Sequence, residues 1–134
     1  MLSLESIQHL LQQLFPGLMG IRLVEAAPER VVAELVVRPD LCTTGGVLHG
    51  GATMAFADTL GAIGTVLNMP QGKRTTTTDS STKFMAAAKV NTTVVGECVA
   101  LHRGRTTMVW QTAVRSAEGR LCAVVTQTQL ILDA

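Results

Sequence analysis

Residues 45–64 read GGVLHGGATMAFADTLGAIG, and this stretch holds the residues best placed to do chemistry. His49 sits between two glycine pairs, Gly45-Gly46 and Gly50-Gly51, and nine residues later a single carboxylate, Asp58, interrupts an apolar run. A carboxylate among apolar residues must find partners, take up a proton or serve a reaction. Asp is also a poor helix-interior residue, because its short polar side chain competes for the backbone. Two readings of Asp58 stand side by side: a side chain that reaches solvent or caps a neighbouring loop, and a working carboxylate in a pocket. The glycines also read two ways. They make a tight turn beside a packed histidine, or they open a helix N-terminus to close approach. There the first N–H groups point outward at the positive end of the dipole, where an anion or a developing oxyanion is stabilised.

The element that must position them runs from about Leu48 to Leu67. Rich in Ala, Met and Leu, it reads as a helix of about five turns. Its apolar residues, Met54, Ala55, Phe56, Leu60, Ile63, Val66 and Leu67, point nearly all ways, which predicts a helix buried all round. Nine residues at about 100° each leave His49 and Asp58 on opposite faces, roughly 13 Å apart along the axis. One chain cannot easily bring both to one site. Two copies with these helices side by side and antiparallel would bring His49 and Gly50 of one close to Asp58 of the other, making two shared sites.

Around this helix the chain reads as one domain, residues 1–134. Ser3 caps a first helix carrying Leu4, Ile7, Leu10, Leu11 and Leu14, stopped by Pro16-Gly17. A strand is predicted over residues 19–26 and a stronger one over 30–38, where Val31, Ala33, Leu35 and Val37 share one face. After Pro70-Gln71-Gly72 come four more strands: TTTTDSSTKFM, VNTTVVGECVAL, TTMVWQTAVRS and LCAVVTQTQLIL, the middle pair joined at HRGR and the last pair at SAEGR. Consecutive hairpins predict a largely antiparallel sheet, which has to curl around a helix with no polar face. The composition is 47% hydrophobic and 16% charged, so part of the surface is expected to pack on another copy. A net charge of +1 argues against an electrostatic grip on nucleic acid or an anionic membrane. The scattered Cys42, Cys98 and Cys122 form neither a disulfide framework nor a zinc pattern, and read as free thiols of a cytoplasmic protein. No signal peptide or membrane span is read.

The run Gly46-Val47-Leu48-His49-Gly50-Gly51 followed by Ala57-Asp58 resembles the hotdog-fold thioesterases of the phenylacetate-degradation (PaaI-like) group. The likeness extends to Asp79–Met85, the HRGR turn and the EGRL hairpin, and covers nearly the whole chain. It implies an α+β hotdog fold, a curved antiparallel sheet around a long helix, with dimers pairing their sheets edge to edge. It implies acyl-CoA hydrolysis, with Asp58 as the catalytic acid residue and the Gly50 N–H as oxyanion donor. His49 matches the neighbour that shapes the turn, and Thr77 a position whose hydroxyl helps place the water. Where the family usually has Asn or Gln six residues before the His, this chain has Thr43. That shorter side chain leaves the contact weaker, or made by Thr44 or a water.

A thioester needs carbonyl polarisation and an attacking water or carboxylate. A helix N-terminus supplies the first, and Asp58 the second as general base or as nucleophile. Coenzyme A, as part of the substrate, brings phosphates; Lys73, Arg74, Lys83, Arg103 and Arg105 are the candidate cations, the HRGR turn foremost. No metal or redox cofactor is implied. Residues of the N-terminal helix and Phe56 are candidates for an acyl pocket, for an aryl or medium-chain group. The sheet face opposite Trp110, Thr112 and Val114 is apolar enough to permit a tetramer as well as a dimer. Three other readings compete. In one, Cys42 is a nucleophile paired with His49, with no orienting third group in view. Another is a hotdog dehydratase, whose Pro-rich motifs around the His are absent. The third is a non-catalytic acyl-CoA-binding module; sensors of that kind carry a DNA-binding segment, and roughly fifteen residues before the first strand are too few for one.

Overall fold

The alternation in RVVAELV sets the pattern of the sheet. Val31, Ala33 and Leu35 are completely buried, while Val36 on the other face is 52% exposed. The computed structural model describes residues 2–134. It opens with α1 (Leu4–Leu11), whose N-cap Ser3 accepts a hydrogen bond from the Ser6 N–H. The Pro16-Gly17 pair does not end helical structure as expected. It lies inside a second short helix, α2 (Phe15–Met19), with Pro16 in the first turn, where its missing N–H costs nothing. Gly20, at φ 84°, closes α2, so the strand expected from residue 19 starts only at Arg22. There follow β1 (Arg22–Ala27), β2 (Arg30–Val36), a two-residue hairpin of β3 (Cys42–Thr43) and β4 (Val47–Leu48), and the central helix α3 (Gly50–Asn68). Four strands complete the chain: β5 (Lys73–Phe84), β6 (Thr93–Arg103), β7 (Thr107–Arg115) and β8 (Leu121–Asp133).

The six long strands form one antiparallel sheet in the order β1-β2-β6-β7-β8-β5. After α3 the chain crosses to the far edge, so β5 is left with one neighbour, β8. Register breaks at Leu23/Glu25, Thr77/Asp79, Ala100/His102 and Val114/Arg115 mark bulges that bend strands. All six strands pack on α3. This is the hotdog fold that the resemblance implies.

Glycine lets the helix and sheet approach closely. A Cβ on Gly64 would stand 2.6 Å from Trp110 Cη2, and one on Gly61 would stand 2.1 Å from Gln127 Nε2. Trp110 is completely buried and donates through Nε1 to Thr65 Oγ1 at 2.9 Å, while the Thr65 hydroxyl donates to the Gly61 carbonyl. Phe56, Ala57 and Leu60 fill the sheet-facing side. The prediction of a helix buried all round holds for that side only. Met54, Ala55, Asp58, Thr59, Ala62 and Val66 form a half-buried stripe, because α1 covers α3 only in part. Ile7 and Leu11 of α1 are buried, but Leu10 and Leu14 are 59% and 60% exposed.

Candidate active site

Asp58 lies on the half-buried stripe of α3, two turns from the helix start, and is half-buried itself. Its Oδ1 accepts a hydrogen bond of 2.5 Å from the Thr77 hydroxyl, across the gap between α3 and β5. The structure therefore joins two residues that are 19 positions apart in sequence. Beside the carboxylate opens a cleft of about 410 Å³ between α1–α2 and α3. Leu10, Leu14, Phe15, Ala62 and Val66 are among its walls, and among the described residues the only polar side chains there are Asp58 and Thr59. The N-terminal helix thus supplies pocket residues, as the sequence suggested. Phe56 does not: it is completely buried on the sheet side of α3 and takes no part in the cleft.

At the other end of α3, His49 is the N-cap. Its Nδ1 accepts from the Gly51 N–H at 2.8 Å, and its backbone carbonyl accepts from Ala52 and Thr53. The Gly50 N–H, by contrast, has no acceptor among the described residues. Gly50 lines a small cleft with Leu48, Phe84, Met85, Ala86 and Ala87, and a Cβ on it would lie 3.1 Å from Phe84 Cζ. Asp58 and Gly50 therefore open into different clefts of one chain, with two turns of α3 between them.

Thr43 sits in the exposed β3–β4 hairpin, bent by Gly45 and Gly46 at φ 89° and 70°, and lines neither cleft. The five candidate cations do not gather. Arg103, Arg105 and Lys73 share a cleft of about 690 Å³ with Asn68 and Thr106, and Arg103 donates to Asn68 Oδ1 at 3.4 Å. Lys73 pairs with Asp133 and holds that carboxyl below its usual range. Arg74 donates to the Asp133 carbonyl. Lys83 stands at the opposite end of β5, about 30 Å from Arg74. His102 and Arg103 belong to β6 rather than to the turn, which tightens at Gly104.

Cys42 and His49 do line a common cleft, but the Cys42 thiol donates to the Arg38 carbonyl and His49 Nδ1 is taken by Gly51. Neither is aimed at the other. Burial pushes the Cys98 thiol up to about 11 and raises that of Cys122, which disfavours the nucleophilic thiolate in both.

Behind Thr77 lies a polar group that sequence reading missed. Gln127 and Gln129 are completely buried on β8. Gln129 Nε2 donates to Thr77 Oγ1 at 2.6 Å, the Thr75 hydroxyl lies 2.9 Å from Gln129 Oε1, and Gln127 Nε2 donates to the Asp58 carbonyl at 3.2 Å. In VTQTQL polar residues fall on both faces of the strand, so no alternation marks the two glutamines as interior.

A sheet folded around a central helix, with a histidine cap, a free N–H at the helix start and a lone carboxylate two turns on, defines a PaaI-like hotdog protein. The chain belongs to the thioesterase superfamily, whose pattern matches residues 45–123. It is 36% identical to a provisionally named esterase of Deinococcus radiodurans, over 76% of this chain and 64% of that one, and so spans just under two thirds of that relative. It is 25% identical to 1,4-dihydroxy-2-naphthoyl-CoA hydrolase of Escherichia coli, over 98% of this chain and 96% of the other. Its backbone is similar to the crystal structure of a Haemophilus influenzae thioesterase, with a TM-score of 0.92, 25% identity, and coverage of 99% and 92%. Among the described residues no helix is long and apolar enough to cross a membrane.

Proposed function

We propose that this chain hydrolyses the thioester of an acyl-CoA, with Asp58 as the working carboxylate and the Gly50 N–H of a second copy as oxyanion donor. One observation carries the reading: a carboxylate with one oxygen held by Thr77 and set, beside Thr59, at the wall of a cleft lined elsewhere by apolar side chains. The acyl group lies in that cleft. Its aliphatic lining and single aromatic ring, Phe15, suit a medium-chain or simple aryl acyl group, since a hydroxyl placed there would find almost no partner. The relative from Escherichia coli, named for an acyl-CoA substrate, supports the carrier.

Asp58 attacks through a water, taking its proton, or attacks the thioester carbonyl itself. In either case the carbonyl oxygen becomes an oxyanion that accepts from the unpartnered Gly50 N–H. The C–S bond then breaks. On the water route the acid is released and the proton taken by Asp58 passes to the thiolate. On the direct route the acyl-Asp58 anhydride is hydrolysed by a water, whose proton goes to the thiolate. His49 contributes by holding the turn, since its Nδ1 on the Gly51 N–H leaves that of Gly50 free. Thr77 orients the carboxylate. Thr43, a shorter hydroxyl in place of an amide, makes a weaker contact to the thioester or water, or leaves it to Thr44 or a bound water. The phosphates of CoA are assigned to Arg103 and Arg105 with Lys73 and Arg74 beside them. Lys83, next to Phe84, comes from the helix end that a two-fold partner would bring to Asp58.

The test is free-thiol release from a panel of aromatic and medium-chain acyl-CoAs. Wild type should turn over at least one member, and Asp58→Asn should lose about 10²–10⁴-fold with its oligomeric size unchanged. Acyl-CoA binding without turnover by wild type on any member would sink the hydrolase reading and put a binding module in its place.

A further inference from the structure

A carboxylate that works as base or nucleophile has to stay ionised and aimed, and Thr77 can serve that end only if its single hydroxyl hydrogen points at Asp58. A threonine hydroxyl rotates freely, donating one hydrogen and accepting through two lone pairs. Its direction is set by whatever else touches the oxygen. Here that is Gln129, whose Nε2 donates to Thr77 Oγ1 at 2.6 Å. An amide N–H against the oxygen occupies a lone pair and excludes the hydroxyl hydrogen from that side. The remaining partner in reach is Asp58 Oδ1, at 2.5 Å. The amide could itself be turned, presenting its carbonyl to Thr77 and drawing the hydrogen away from the carboxylate. Thr75 favours the unturned amide, because its hydroxyl lies 2.9 Å from Gln129 Oε1 and can donate to it, and a turned amide would be accepted only with that hydrogen moved to the Leu130 carbonyl at 3.0 Å. Gln129 is completely buried, so no water competes for either end of the amide.

We propose that Gln129 is a positioning residue for the reaction. Fixed by Thr75, it directs the Thr77 hydrogen onto Asp58 Oδ1, which keeps the other carboxylate oxygen available to the cleft. Resting on the assignment of Asp58 as the working carboxylate, it adds to that reading a residue 71 positions away in sequence that touches no substrate. Gln129 is not part of the cleft wall, so its contribution belongs to turnover and not to substrate affinity.

The variant to make is Gln129→Met, similar in length and unable to donate. It leaves the Thr77 hydroxyl whole and leaves Thr75 the Leu130 carbonyl, 3.0 Å away, as an acceptor. With the best acyl-CoA of the panel, kcat should fall about three- to tenfold, the worth of one neutral hydrogen bond, with KM unchanged. Thr77→Val should lower kcat at least as much, and Gln129→Met added to Thr77→Val should cause no further fall, because its effect passes through that hydroxyl. Thr75→Val, which frees the amide to turn while leaving Gln129 in place, should lower kcat in the same direction and keeps the test open should Gln129→Met fold poorly. An unchanged kcat in both Gln129→Met and Thr75→Val, a rise confined to KM, or a fall that simply adds to that of Thr77→Val would overturn the assignment. Asp58→Asn separates the two questions. If it retains turnover, the reading of Asp58 has failed; if it is inactive while Gln129→Met and Thr75→Val match wild type, only the role of Gln129 has.

Discussion

The residues of the candidate site differ in how plainly their chemistry shows before any fold is known. Asp58 stands out because a lone charge in an apolar run has few neutral explanations. Gly50 stands out because glycine beside a helix-capping histidine leaves an N–H accessible. Thr77 is one of four consecutive threonines, and only the 2.5 Å bond to Asp58 distinguishes it from its neighbours. Gln129 is harder still to read, since a glutamine near the end of a chain looks like surface and its burial is created by β8 passing under α3. The residue-scale expectation concerns Gly50. Gly50→Val keeps the N–H but places methyl groups over it, against the ring of Phe84 at the 3.1 Å approach. Phe84 is more than half exposed and can move, so the fold should survive. Blocking the donor should lower kcat/KM by about 10²–10³-fold. Wild-type kinetics in a variant whose melting temperature is unchanged would remove Gly50 from the oxyanion role.

At the scale of elements, the strands and α3 were legible because burial imposes periods of two and 3.6 on their side chains. The pattern Val31, Ala33, Leu35, Val37 shows it, all four being completely buried. The N-terminal segment was less so. Leu10 and Leu14 sit at helical spacing yet remain exposed, because they border a cleft instead of the core. Pro16-Gly17 reads as a stop although proline is tolerated in the first turn of a new helix. The glycines of α3 carry a meaning that sequence alone could not supply. On an exposed helix, Gly→Ala stabilises by about 1 kcal/mol through propensity. At Gly64 the sign should reverse, since a Cβ would meet Trp110 Cη2 at 2.6 Å and Trp110 is locked by its bond to Thr65. Overpacking of this kind costs about 1–3 kcal/mol, so Gly64→Ala should melt several degrees below wild type by calorimetry. A melting temperature at or above that of wild type would mean that the helix and sheet separate there without cost.

For the whole molecule, the half-buried stripe of α3 and the open side of β5 raise the same issue. β5 is twelve residues long, pairs only with β8 and contains no proline. Ser80 Oγ and Thr82 Oγ1 are buried on it without partners, and Phe84 and Met85 beside it are more than half exposed. Long open edges of this kind invite another strand. Pairing β5 with its own copy about a two-fold axis would extend the sheet and set two α3 helices side by side, each presenting Gly50 to the other's Asp58. This arrangement makes a demand that no single-chain site can meet. Asp58→Asn and Gly50→Val should each be nearly inactive. When they are unfolded together in equal amounts and refolded, half of the dimers contain one of each chain. In such a pair one site inherits both lesions, while the other combines an intact Asp58 with an intact Gly50. Activity should therefore return to about one quarter of the wild-type value for a two-fold dimer with two shared sites. Refolding each variant alone should restore nothing. A mixture that stays at the level of its parents, with mixed pairs demonstrated by mass spectrometry of differently tagged chains, would mean that Asp58 and Gly50 do not meet across this interface.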